Sequence, residues 1–77
     1  MKLKYIIDEY NNVIVWNSEG DTHQKISSSM FGKPKSAGFC YIRGDRVETF
    51  GESVSLGIES QKDDYKIIKE KIISSLK

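Results

Sequence analysis

Between Lys2 and Asn17 the chain alternates in character. Leu3, Tyr5 and Ile7 interleave with Lys4, Ile6 and Asp8, and the β-branched and aromatic run Val13-Ile14-Val15-Trp16 follows. A period of two with such residues predicts two strands. The Asn11-Asn12 pair between them tolerates positive φ, so a tight hairpin turn is expected there.

The pattern changes after Trp16. Asp21 with Gln24 three residues on resembles a capping box, Gly32 can close a helix and Pro34 forbids its continuation. His23, Ile26 and Met30 give this short helix one inward stripe, although Ser27, Ser28 and Ser29 are weak helix formers.

From Phe39 to Phe50 the alternation returns around Gly44-Asp45, which suits a two-residue type II′ turn. Such a turn pairs Arg43 with Arg46, Ile42 with Val47, Tyr41 with Glu48 and Phe39 with Phe50. One face then carries Cys40, Ile42, Val47 and Thr49, and the other Phe39, Tyr41, Glu48 and Phe50. The run "SVSLGI" predicts a fifth strand with Val54, Leu56 and Ile58 inward and Ser53, Ser55 and Gly57 outward.

The last stretch, "SQKDDYKIIKEKIISSLK", opens on Ser60 and Asp63 at capping-box spacing. Tyr65, Ile68, Ile72 and Leu76 recur at helical spacing, and Ile67 and Ile73 widen the stripe. The expected class is therefore α+β: a small antiparallel sheet of four to five strands, one short helix, and one C-terminal amphipathic helix packed on the sheet.

Length changes this picture by restricting the core. The 77 residues of positions 1–77 are read as a single domain, and a chain of this size buries only about 60% of the surface it exposes when unfolded. One cysteine forms no internal disulfide, and one histidine leaves no Cys/His cluster with metal-ligand spacing. Neither metal nor cofactor is expected. Self-association into a homo-oligomer is the expected supplement.

Charge narrows the partners. With 12 Lys+Arg against 11 Asp+Glu the formal charge is +1, which argues against general DNA or RNA binding. Asp8 and Glu9 interrupt the first apolar run before a signal peptide could form, and no stretch is apolar enough for a membrane span. Together with the unpaired cysteine this implies a cytoplasmic protein with no membrane partner.

Few residues carry the marks of catalysis. His23 and Cys40 are the candidates for a small hydrolase, but neither has a sequence neighbour that completes a catalytic pair. They read better as a helix-start residue and a small core residue. The pairs Asp8-Glu9 and Asp63-Asp64 read as turn and helix-start charges, and the Arg43-Gly44-Asp45 tripeptide is accounted for by a hairpin turn. No catalytic residue is assigned and a non-enzyme is expected.

Binding has more support. Four of the six glycines lie between Ser36 and Gly57. In "GKPKSAGF", Lys33, Lys35 and Ser36 sit on a Pro/Gly-stiffened loop, and Ala37 and Gly38 leave room for close backbone approach, an arrangement that can receive an anion. It is neither a Walker A loop nor a dinucleotide glycine motif. Ser53 and Ser55 could meet a ligand's polar edge, with Phe39, Tyr41, Phe50 or Trp16 available to stack on a flat ring.

The pattern "SAGFCYI…GDRVETFGESVSLGIES…DD…II" resembles a class of small uncharacterised proteins from bacteriophages and bacterial genomes, over most of the chain from Thr22 to Ile68. More loosely, size, expected oligomerisation and small-residue pockets are similar to phage anti-defence sponge proteins. That resemblance implies sequestration, without cleavage, of nucleotide signals in a host cytoplasm. The expected function is a non-enzymatic, homo-oligomeric binder of a small anionic, nucleotide-like ligand held by Lys33, Lys35, Ser36, Gly38, Phe39, Tyr41, Ser53 and Ser55. The alternative is a protein-interaction module, such as a phage inhibitor of a host protein, docking through a strand edge or the aromatic face.

Overall fold

The computed structural model describes residues 2–30 and 32–73. Strands β1 (Lys2–Asp8), β2 (Val13–Asn17), β3 (Pro34–Arg43) and β4 (Arg46–Phe50) form an antiparallel sheet in the order β2-β1-β3-β4. A separate two-stranded sheet pairs β5 (Glu52–Ser53) with β6 (Ile58–Glu59). Helix α1 (His23–Ser27) lies between β2 and β3 in the chain, and helix α2 (Asp64–Ile68) follows β6 and runs on into a π-type segment, Lys69–Ile73. Among the described residues no helix is long and apolar enough to cross a membrane.

Alternation decides the layers. Tyr5, Ile7, Cys40 and Val47 point to the face where Ile68 of α2 is buried, with Leu3, Val13, Val15, Ile42, Ile67 and Ile72 packed around them. Each of these strand residues is next to its partner in register: Tyr5 opposite Val15, Ile7 opposite Val13, Leu3 opposite Cys40, Ile42 opposite Val47. The opposite face carries Lys4, Trp16, Phe39, Tyr41 and Phe50 and receives His23 of α1.

The hairpin from β3 to β4 has the register expected from Gly44-Asp45, from Arg43 opposite Arg46 to Phe39 opposite Phe50. Gly44 has φ +59° and Asp45 stays at negative φ, the combination a type II′ turn requires. The first hairpin differs from its expected two-residue turn. Four residues, 9–12, separate the strands, because the Asp8 carboxylate accepts from the backbone N–H groups of Tyr10 and Asn12 and fixes a wider loop. Asn11 alone takes positive φ, at 63°.

Three further expectations are corrected. Helix α1 is capped by Thr22, whose hydroxyl accepts from the Lys25 N–H, and not by Asp21. It ends at Ser27, well before Gly32, because the Ser27 and Ser28 hydroxyls bond the Gln24 and Lys25 carbonyls and compete for the acceptors of the last turn. The fifth strand does not form as a single run. Gly57 at φ +67° and a bond from the Leu56 N–H to the Ser53 hydroxyl turn the chain between β5 and β6, so Ser53 is 1% exposed and Val54 86%. Its inside and outside are therefore reversed at these two positions.

The C-terminal stripe is partly as expected. Ile68 is fully buried and Ile67 and Ile72 pack on the core, but Tyr65 is 40% exposed and Asp63 makes no side-chain cap. The Ile73 side chain and Leu76 lie outside the described residues.

Candidate ligand-binding site

Five rings cross the sheet on the face opposite α2. Trp16 and His23 meet edge-on at 5.3 Å between centroids, and His23 meets Phe39 edge-on at 5.8 Å. Phe39 then lies nearly parallel to its cross-strand partner Phe50, 5.9 Å away with 24° between the planes, and Phe50 to Tyr41, 5.4 Å away with 22°. Such offset stacking slides the negative centre of each ring out from over its neighbour's. The Lys2 ammonium sits 4.6 Å from the Phe39 centroid, a cation–π distance.

One half of this row is closed and the other open. Trp16 donates its ring N–H to the Asp21 carbonyl at 2.7 Å, and Lys4 donates to the same carbonyl at 3.2 Å. His23 is buried, its Nε2 2.9 Å from the Gly38 carbonyl. Burial drives its pKa below 6.5, a shift that the Gly38 carbonyl opposes and the charge of Lys4 reinforces. Phe50, by contrast, is 38% exposed. The exposed Arg43 and Arg46 lie at the turn beyond Tyr41, where Arg46 pairs with Glu48 at 3.5 Å.

Gly51 lets the row pack. It takes φ +75°, and a Cβ there would stand 3.0 Å from the Phe39 ring. Gly38 is more restricted: a Cβ would lie 2.6 Å from the Phe50 carbonyl oxygen. The close backbone approach that Ala37-Gly38 suggested is made by the chain's own β4, which fills the space reserved for an anion.

The other expected contacts are likewise engaged within the chain. Lys33 exchanges backbone bonds with Glu9, its carbonyl accepting from the Glu9 N–H at 2.9 Å and its N–H reaching the Glu9 carboxylate at 3.4 Å. The Lys35 ammonium donates to the Asn11 side chain. Ser36 is buried and donates to the Asp64 carboxylate at 2.9 Å. Ser53 and Ser55 share a bond at 3.4 Å in the turn before β6. Phe39 and Tyr41 are thus brought together through Phe50, whereas Lys33, Lys35 and Ser36 gather near Glu9, Asn11 and Asp64.

Two acidic residues had more to do than the sequence reading gave them. Asp64 is buried and accepts from the Tyr5 hydroxyl, from Ser36 and, at 2.8 Å, from the Gln61 N–H. Asp8 is buried at the corner of the sheet; burial opposes its charge, but donors from Asn12, Tyr10 and Gly32 outweigh that and hold its pKa below 3.8. One signal pointed to Asp64: Tyr5 falls in an inward position, and a buried hydroxyl needs a partner.

Two open grooves flank the Asp64 segment. One, of 390 Å³, lies between β4 and residues 60–65, and the other, of 350 Å³, is lined by Lys35, Gln61, Lys62, Asp63, Asp64 and Ile67. Among the described residues no group of three or more His, Cys, Asp and Glu side chains could hold a metal ion. Neither a family model, nor a curated protein, nor a solved structure matches this chain.

Proposed function

We propose that this protein is a non-enzymatic binder of a small anionic, nucleotide-like ligand, acting as a homo-oligomer in the cytoplasm. The observation that carries the reading is the stack of Phe39, Phe50 and Tyr41, whose central ring, Phe50, is 38% exposed to solvent. Flat rings on a sheet face receive a base by stacking, whatever its identity. Lys2 lies over Phe39, and Arg43 and Arg46 lie beside Tyr41 together with Glu48, so cations that suit the anionic part of such a ligand stand near these rings.

This reading puts the site on the aromatic end of the expected set, with Phe39 and Tyr41 retained, Phe50 taken from the other rings expected to be available for stacking, and Lys2 and the two arginines added. Lys35 and Ser36 lie in β3 rather than in a loop, and this segment is less suited to an anion because the Ser36 hydroxyl and the Lys33 backbone N–H already donate to the Asp64 and Glu9 carboxylates and the Lys35 ammonium to Asn11. A non-enzymatic role is supported by the state of the candidate nucleophile and the candidate base: burial pushes the Cys40 thiol up to about 11, and His23 is held by Gly38. In the phage setting that the sequence resemblance implies, such a binder would sequester a nucleotide signal of host immunity.

Calorimetry with mono-, di- and cyclic nucleotides tests the reading. Binding by one member is expected, and Phe50→Ala should weaken it by about 1–3 kcal/mol, the scale of one stacked base. Lys35→Ala should leave binding unchanged. No binding by any member would sink the ligand reading and favour the protein-interaction module; binding insensitive to Phe50→Ala would move the ligand elsewhere.

A further inference from the structure

The outer edge of β4 carries the next inference. This strand ends the sheet order, so its outward backbone groups pair with no described strand. Their identity follows from the hairpin. Arg43 and Arg46 close a two-residue turn and exchange backbone bonds across it. Alternation then directs the N–H and C=O groups of Arg46, Glu48 and Phe50 toward β3, and those of Val47 and Thr49 outward.

An exposed edge of this kind is a template for another strand. Beside it lies open space, the 390 Å³ groove lined by Val47, Glu48 and Thr49 on one wall and by Ser60, Gln61, Lys62 and Tyr65 on the other. Tyr65, 40% exposed, gives that far wall an apolar surface.

We propose that β4 pairs with β4 of a second copy, antiparallel and centred on Val47, joining the two four-stranded sheets into one. Charge selects the occupant and the register. Centred on Val47, a two-fold pair sets Arg46 opposite Glu48 of the partner copy, and Glu48 opposite its Arg46, with Val47 against Val47. Opposite charges face each other twice. Centred on Glu48, the same strands would set carboxylate against carboxylate, which is destabilising. The Val47 register also makes that residue's outward N–H and C=O the bonding pair, as the alternation requires. Within one copy Arg46 already reaches Glu48 at 3.5 Å, with both side chains mostly exposed, so either can turn to a partner without being unburied. Both copies then present their aromatic rows on the same side of one sheet, because a two-fold axis normal to the sheet keeps each face on its side. The inference rests on the homo-oligomeric part of the reading above and shares Arg46 with the proposed ligand site, so the wild-type protein is the sample on which assembly and ligand are compared.

Sedimentation velocity across the micromolar range tests it, with Arg46→Glu, Glu48→Arg and the double reversal. The wild type should be a dimer. Each single reversal should raise the dimer dissociation constant roughly tenfold or more, since two attractive pairs become two repulsive ones. The double reversal should return it to within about threefold, because the pairing is restored with its charges exchanged. All of these positions are exposed, and Arg46→Glu places a carboxylate opposite Arg43, so thermal melts should show each variant folded. A monomeric wild type, single variants that dimerise as the wild type does, or a double variant that stays monomeric would each overturn the interface. Nucleotide calorimetry on the wild type separates the two proposals: a monomer that binds nucleotide removes this interface and keeps the ligand, and a β4 dimer that binds none does the reverse.

Discussion

The Tyr5 hydroxyl donates to the Asp64 carboxylate, joining the first strand to the last described helix across 59 positions of sequence. Ser36 of β3 bonds the other carboxylate oxygen and the Gln61 N–H bonds the same one as Tyr5, so three separated segments converge on one buried group. Such a network is well supported only when every member has a partner. Among the described residues no buried side-chain nitrogen or oxygen lacks one.

Removing one donor should therefore cost more than an exposed bond would. Tyr5→Phe keeps the ring in the core but leaves the buried carboxylate one donor short, and should destabilise the fold by about 1–3 kcal/mol in urea unfolding. Ser36→Ala should act similarly. The double variant should depart from additivity, since both donors serve one carboxylate. A Tyr5→Phe variant as stable as the parent would show that the hydroxyl contributes nothing through Asp64.

Acid should weaken the protein in two steps. His23 has a pKa lowered from 6.5, chiefly by burial, so the unfolded chain binds its proton first; the stability this gives is present above pH 6.5 and is lost as pH falls through the folded value. Asp8 is lowered from 3.8 and adds a second loss below that pH. Denaturant melts from pH 8 down to pH 3, a range chosen around these values, should show His23→Gln removing the first step and leaving the second. An unchanged first step would assign it to another group.

Gly38 should tolerate no side chain. A Cβ would lie 2.6 Å from the Phe50 carbonyl oxygen, a backbone atom that cannot rotate away. Gly38→Ala should cost about 1–3 kcal/mol, as overpacking does, and should shift the Phe50 ring signals in an NMR spectrum. Although a branched residue suits a strand in general, Gly38→Val should fare worse. An alanine variant with native stability and an unmoved Phe50 would contradict the contact.

How much of this was legible beforehand depended on how local the cause was. The β3–β4 register could be read because Gly44-Asp45 fixes it within a few residues. The reversal at Ser53 and Val54 could not, because alternation alone does not reveal that Ser53 accepts from the Leu56 N–H and turns the chain. Phe39 and Tyr41 could be placed on one face by parity, but their link through Phe50 depends on ring angles. Gly38 was legible as leaving a place for close backbone approach, and Ser36 as a hydroxyl donor to whatever fills it. What fills that place, Asp64 and the Phe50 carbonyl, comes from parts of the chain 28 positions on in the first case and from the neighbouring strand in the second.

Cys40 should be chemically silent while the protein is folded. It is fully buried between Leu3 and Thr49 in register, and burial pushes its pKa from 9.0 up to about 11, so little reactive thiolate forms at neutral pH. Its labelling by a thiol reagent should proceed only through unfolding, and the rate should rise with urea in step with the unfolded population. The raised pKa also has a consequence for stability. The folded state holds this proton more tightly, so the contribution is present below pH 9.0 and is lost as pH rises toward about 11. Tyr5, raised by burial and by Asp64, adds to the alkaline loss above its ordinary 10.0. Cys40→Ala should cost about 1 kcal/mol, the scale of deleting a small buried group, leave nucleotide binding intact and remove the earlier part of the alkaline loss. Rapid labelling of the folded protein, or loss of binding in a folded Cys40→Ala variant, would instead make the thiol an accessible, functional group.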